Sequence, residues 1–229
     1  MNKTRITALG DSLTKGVILT EHNRYTVTDG CFIDIIGNEL DLSVENHGKF
    51  GCTVSFGSSV IDRHTDEIKE SDYTFLEYGG NDCDFDWVKI AQAPDDTHRA
   101  KTELSQFKKQ FTDLISRVKG LGSVPVIISL PPIIPDVYFP FLSRNMTRSQ
   151  KNNIIRWLGG DINIISRWHE SYNRALFSIA GQTRTHIIDI TTPFDTYRGN
   201  LRSLYCPDGI HPNTEGHKLI AKTIIDKYL

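Results

Sequence analysis

The chain has 229 residues, 38% hydrophobic and 24% charged, which suits one globular domain, 1–229, that buries its core without disulfide or metal staples. A formal net charge of −2 and the lack of any basic cluster argue against nucleic acid or an anionic membrane surface as partner. Residues 1–9 are too short and polar for the apolar part of a signal peptide, and no stretch reaches the ~20 apolar residues a membrane helix needs, so a cytoplasmic protein without membrane insertion is expected.

Short apolar runs alternate with longer amphipathic stretches along the chain. Ile6–Leu9 reads as a strand ending at Gly10, and Cys31–Leu40 as a helix with Phe32, Ile35, Ile36 and Leu40 in register. Leu42–Asn46 reads as a second strand, Thr53–His64 as a weaker helix, and Tyr73–Tyr78 as a third strand stopped by Gly79-Gly80. Thr97–Gly120 carries the longest helical stripe, through Leu104, Phe107, Phe111, Leu114, Ile115 and Val118. Val124–Leu130 is a β-branched run halted by Pro131-Pro132, which suits a buried central strand. Ile162–Ala180 is helical, Thr185–Ile190 is the fifth strand, and Asn213–Tyr228 closes the chain as an amphipathic helix. Such alternation implies right-handed crossovers and an α/β fold with a mainly parallel sheet between two helical layers. The stretch 131–160 is the long irregular one, either a lid or pocket wall or a surface insertion with a short helix at Ser149–Leu158.

Ligands of an open parallel sheet bind beyond the carboxyl ends of its strands. Ser12 follows the first strand, Gly48 and Gly51 the second, Asn81 the third, and Asp208 and His211 lie between the fifth strand and the last helix. Each element is ordinary by itself. A serine after a strand is usually a cap, and Gly-Gly-Asn-Asp is usually a turn. Together they assemble a hydroxyl, an imidazole, a carboxylate and amide donors at one edge of the sheet.

In order and spacing these blocks resemble those of the SGNH hydrolases, also called the GDSL lipase/esterase family. Gly10-Asp11-Ser12-Leu13 matches the first block, Asn46-x-Gly48-x-x-Gly51 is similar to the second, Gly79-Gly80-Asn81-Asp82 matches the third, and Asp208-x-x-His211-Pro212 the last. The resemblance implies a three-layer α/β/α sandwich with a five-stranded sheet in the flavodoxin-like order 2-1-3-4-5. It implies Ser12 as nucleophile, His211 as base and Asp208 as its orienting carboxylate. The oxyanion hole would comprise the N–H groups of Ser12 and Gly51 and the Asn81 amide, with Gly48 as the fallback for Gly51. A serine needs such a base to attack near neutral pH, and the carboxylate fixes the tautomer of the base. No cofactor is required, and the expected partner is a small-molecule ester. The oligomeric state is not legible.

Other readings are weaker. Gly-x-Ser-x-Gly does not occur, and Gly10–Gly16 lacks the spacing of a phosphate loop. Cys52, Cys83 and Cys206 lie beside the blocks, but with Cys31 they show no paired metal spacing, so they read as packed thiols and no metal is expected. His22, His47, His169 and His217 read as structural. Asp11, Asp82, Trp87 and Tyr138 are candidates for the substrate pocket. The aspartates of Asp82–Trp87 would repel anions, and the aromatics could stack on a sugar or enclose an acyl chain. That points to a short-acyl ester, with a carbohydrate O-deacetylase, a lysophospholipase or a thioesterase as alternatives. A silent glycan- or peptide-binding module is the alternative from another class.

Overall fold

A computed structural model describes residues 3–228 of the chain. Its sheet is built on β1 (Arg5–Gly10), flanked in parallel by β4 (Ser43–Asn46) on one side and β5 (Tyr73–Glu77) on the other. Beyond β5 lie β6 (Val124–Ile128) and β7 (His186–Ile188), again parallel, giving the order β4-β1-β5-β6-β7. Counted over this sheet alone, that is the expected 2-1-3-4-5.

The pleat divides the strand side chains between two cores. Ile6, Ala8, Phe75, Val126 and Ile128 face α2 (Phe32–Glu39) and α11 (Thr214–Tyr228), where Phe32, Ile33, Ile36, Ile220 and Ile224 meet them. Leu9, Leu76 and Ile127 face the opposite layer of α3 (Val54–Arg63), α6 (Leu104–Gly120) and α9 (Ile164–Thr183). The helical stripe Phe107, Phe111, Leu114, Ile115 and Val118 lies in this second core, fully or almost fully buried.

Two expectations need correction, and one element had no expectation at all. The helix foreseen over Thr97–Gly120 begins only at Leu104. Residues before it are held as an extended loop, because the N–H groups of Lys101 and Thr102 donate to the carbonyls of Asp84 and Asp82 at 2.9 and 3.0 Å. The stretch 131–160 is not irregular. It holds α7 (Pro135–Leu142) and α8 (Arg148–Trp157), and α8 starts in a reciprocal cap between Thr147 and Gln150. With α5 (Trp87–Gln92) these helices enclose a third apolar cluster around Ile90, Phe139, Ile154 and Leu158. Finally, 17–27 forms an antiparallel hairpin of β2 (Val17–Leu19) and β3 (Tyr25–Val27), which no pattern had announced.

Candidate active site

Ser12 is the first residue of α1 (Ser12–Lys15), a single helical turn directly after β1. Asp11 caps that turn by accepting the Leu13 N–H at 2.9 Å, which fixes where the Ser12 side chain leaves the backbone. At the far end of the chain, Asp208 and His211 lie in a tight loop closed by the Cys206 N–H on the His211 carbonyl at 2.8 Å. One oxygen of Asp208 accepts the N–H groups of Ile210 and His211, each at 3.1 Å. Its other oxygen lies 2.7 Å from His211 Nδ1, and His211 Nε2 lies 3.0 Å from Ser12 Oγ. All three side chains are buried, Asp208 completely and His211 and Ser12 at 7% and 8% exposure. Burial alone would raise the Asp208 carboxyl, but the bonds and charge of His211 leave it below its ordinary value. It therefore stands ready as a carboxylate that accepts the imidazole N–H.

Asn81 follows β5 and donates its side-chain amide to Asp11 at 2.9 Å. Asp11 thus spans the Leu13 and Asn81 donors and orients both the helix turn and the amide. Behind it, Glu77 is almost completely buried and accepts the Thr14 hydroxyl at 2.9 Å. Burial and the neighbouring Asp11 push the Glu77 carboxyl well up, and burial also raises Asp11 despite its hydrogen bonds. Glu77 also accepts the N–H groups of Asp11 and Thr14, at 3.4 and 3.3 Å, so the two carboxyls are tied together behind the site.

The two candidate glycines part company. The Gly48 N–H is already taken by Asn46 Oδ1 at 2.9 Å, and a Cβ there would lie 2.3 Å from the Lys15 nitrogen. Gly48 packs backbone against backbone under α1. Gly51 lines the pocket at φ 75°, with open space where a Cβ would go. Of the two, Gly51 is the one placed to meet a ligand.

The pocket has a volume of about 670 Å³ and opens beside Ser12, Asn81 and His211. Asp11, Trp87 and Tyr138 line it, with Phe85, Ile133, Trp157 and Trp168. Asp82 does not. It is fully buried, and both its oxygens accept the Val54 N–H, at 3.1 and 3.0 Å, so it anchors the start of α3 behind the site. Of the acidic run, Asp86 caps α5 through the Lys89 N–H, and Asp84 takes bonds from Trp87, Tyr138 and Lys101. The carboxylate of Asp84 is thereby paired with Lys101 and held by two further donors, so of the acidic run only Asp84 lines the pocket and it does so as one half of an ion pair.

The site also includes groups that the sequence patterns missed. Tyr25, from the hairpin, and Phe50, beside Gly51, both touch the His211 ring. Glu77 carried a signal that could have been read, a carboxylate closing the apolar run of β5; Tyr25 carried none. Among the histidines, His47 and His64 stack face to face at 3.6 Å and share the carboxylate of Glu67. His169 and His217 are buried, and burial lowers both to about 4.

A parallel α/β/α sandwich with these blocks at its carboxyl edge defines an SGNH-type hydrolase. The model of the GDSL-like lipase/acylhydrolase family matches residues 8–219, and the chain belongs to that family. It is accordingly an ester-hydrolysing enzyme. The protein YpmR of Bacillus subtilis strain 168, itself uncharacterised, is 22% identical over 228 residues, covering 96% of this chain and 79% of its own. A lipase/acylhydrolase from Enterococcus faecalis matches in structure with a TM-score of 0.67 at 16% identity, over 98% of this chain and 94% of that one. A catalytic mutant of an acetylxylan esterase from Geobacillus stearothermophilus gives 0.63 at 15% identity, over 99% and 94%. At these identities the structural likeness is one of fold. No helix among the described residues is long and apolar enough to cross a membrane.

Proposed function

We propose that the enzyme is a serine carboxylic-ester hydrolase that works through an acyl-enzyme on Ser12. The observation that carries this reading is the unbroken chain from Ser12 Oγ through His211 to Asp208, at 3.0 and 2.7 Å, beside an apolar pocket. In the first half-reaction His211 Nε2 takes the Ser12 proton as Oγ adds to the ester carbonyl carbon. The imidazolium is stabilised by Asp208 and then gives that proton to the departing alkoxide. In the second half-reaction His211 deprotonates water, the hydroxide adds to the acyl carbon, and Ser12 leaves with its proton restored.

The oxyanion in both halves is held by the N–H groups of Ser12 and Gly51 and by the Asn81 amide. One Asn81 hydrogen is committed to Asp11, which leaves the other for the oxyanion. Asp11, fixed between Leu13 and Asn81, keeps this donor aimed before substrate arrives.

The pocket bears on the substrate. A cavity of about 670 Å³ lined by Phe85, Trp87, Ile133, Trp157 and Trp168 is larger than an acetyl group needs. It favours a neutral ester with an apolar acyl group of several carbons. A second reading is a short-acyl sugar ester, with Trp87 and Trp157 as stacking faces for the sugar. Hydrolysis of chromogenic esters from acetyl to long-chain acyl separates the two. A rate that climbs beyond acetyl supports the apolar acyl group; a preference for acetyl, strengthened by a sugar alcohol, supports the other.

A further inference from the structure

The Asp208–His211 pair has a neighbour outside every block of the sequence resemblance. Tyr25 opens β3 of the hairpin, and its hydroxyl lies 3.3 Å from Asp208 Oδ2, the oxygen that also receives His211 Nδ1. The Tyr25 ring meets the His211 ring edge-on at 5.4 Å, and Phe50 lies nearly parallel to His211 at 6.1 Å. Tyr25 and Phe50 touch each other at 5.1 Å, so the imidazole sits under an aromatic cap of two rings.

The hairpin that carries Tyr25 is fastened to the same loop. The Leu19 N–H, opposite Tyr25 in the ladder, donates to Cys206 Sγ at 3.3 Å, and the side chains of Val17 and Leu19 are buried. The Thr28 N–H, just past the hairpin, donates to the Gly16 carbonyl at 2.8 Å, which ties it to the turn after α1. The hairpin therefore bridges the Ser12 end and the His211 end of the site.

We infer that Tyr25 is a positioning residue for the Asp208–His211 pair, its hydroxyl holding the carboxylate so that His211 keeps the tautomer and the aim that Ser12 requires. The inference rests on the serine-hydrolase reading above. Its reasoning is an inventory of donors. Oδ1 of Asp208 is held by two backbone N–H groups, and among the described residues Oδ2 is held by His211 and Tyr25. Asp208 is fully buried, so loss of the tyrosine donor leaves a buried lone pair with nothing to replace it but an intruding water. Although the residue as a whole is 43% exposed, the partly buried hydroxyl end and the charge of Asp208 beside it push the Tyr25 phenol up to about 12. The hydroxyl thus remains a donor throughout the range in which His211 works.

Donation by Tyr25 also draws charge from Asp208 and so weakens its pull on the imidazolium. Removing the hydroxyl concentrates that charge and favours protonated His211. The other ionisable groups near the pair are Asp11 before α1, Arg144 after α7, Cys206 in the same loop and His217 in α11. Tyr25→Phe changes none of them and keeps the ring on His211 and Phe50.

The test compares wild type with Tyr25→Phe by steady-state ester hydrolysis across pH and by NMR titration of the His211 ring, with Ser12→Ala as control. The expected result is a kcat lowered about tenfold with KM unchanged. The acid limb of the rate and the pH response of the His211 ring signals should both move to higher pH. Wild-type kcat and an unmoved titration would overturn the inference. So would a lowered melting temperature with an unmoved titration, which would make Tyr25 a packing residue only. Hydrolysis that survives Ser12→Ala would sink the serine-hydrolase reading instead, and the NMR titration would still decide whether Tyr25 acts on His211.

Discussion

His211 Nε2 and Ser12 Oγ lie 3.0 Å apart although 199 positions separate them in the chain. Both are carried by short irregular segments, the one-turn α1 and the loop before α11, and each segment is pinned by a carboxylate that accepts its own backbone N–H groups. Asp11 does this for Ser12, and Asp208 does it for His211. The precision of the contact is therefore set by two local caps, and the sheet only brings them to the same edge.

In the proposed mechanism, Asn81→Ala removes the side-chain donor assigned to the oxyanion and leaves the backbone donors assigned to it in place. The expected outcome is a kcat lower by about 10²–10³ with KM nearly unchanged, since the oxyanion exists only beyond the ground state. Steady-state kinetics on one chromogenic ester checks this. A loss confined to KM would remove Asn81 from the oxyanion site.

Gly48→Ala and Gly51→Ala should fail in different ways. At Gly48 the new methyl would meet the backbone of Thr14 and Lys15, at 2.7 and 2.3 Å, and nothing flexible is there to yield. A loss of about 3 kcal/mol or more in unfolding free energy is expected, read by urea denaturation. At Gly51 the methyl has room, but φ is 75°, so the cost is about 1 kcal/mol. The fold should hold while kcat falls, because relieving the strain turns the Gly51 N–H that the proposed mechanism assigns to the oxyanion.

His169 supplies a prediction about acid stability. Burial lowers it from 6.5 to about 4, so the unfolded chain takes up its proton first as pH falls. The stability tied to neutral His169 is complete above pH 6.5 and is lost progressively down to about pH 4. The variant His169→Leu lacks this group. Whatever its offset at neutral pH, its unfolding free energy should gain about 3 kcal/mol on wild type between pH 7 and pH 4. Urea melts of both proteins at several pH values give the difference, and a constant offset would contradict the assignment.

Ile133 lines the pocket from the segment between β6 and α7. Replacing it with Trp fills part of the space beside Ser12. Long-chain esters should lose about tenfold or more in kcat/KM relative to acetyl esters, as a pocket that loses room for several methylenes requires. An unchanged chain-length profile would place the acyl group elsewhere.

Much of this could be read from the residues. The strands were legible because β1, β5 and β6 are apolar on both faces, and α6 because its stripe keeps a strict period. The four blocks were legible because their chemistry sits in short, contiguous runs. The hairpin was not, since β2 and β3 are three residues each and all of β3 is exposed, so no apolar alternation marks it. Prolines 131, 132, 135 and 140 hid α7, although Pro135 stands in its first turn, where proline is tolerated. For α8 the cap signature Thr147-x-x-Gln150 was present, and the start expected at Ser149 was one residue late. Asp82 misled because adjacency to Asn81 says nothing of direction; its side chain turns back to α3 while Asn81 faces the pocket. Tyr25 could not be found by any local pattern, because its partner lies 183 positions away.

The most direct test of the central claim is to treat wild type and Ser12→Ala with an alkyl phosphonate ester that traps activated serines, and to follow both adduct mass and ester hydrolysis. The account predicts one adduct per wild-type chain, located on Ser12 by peptide mapping, with hydrolysis lost in step, and neither adduct nor hydrolysis in Ser12→Ala. An adduct on another residue, or hydrolysis that persists in Ser12→Ala, would contradict it.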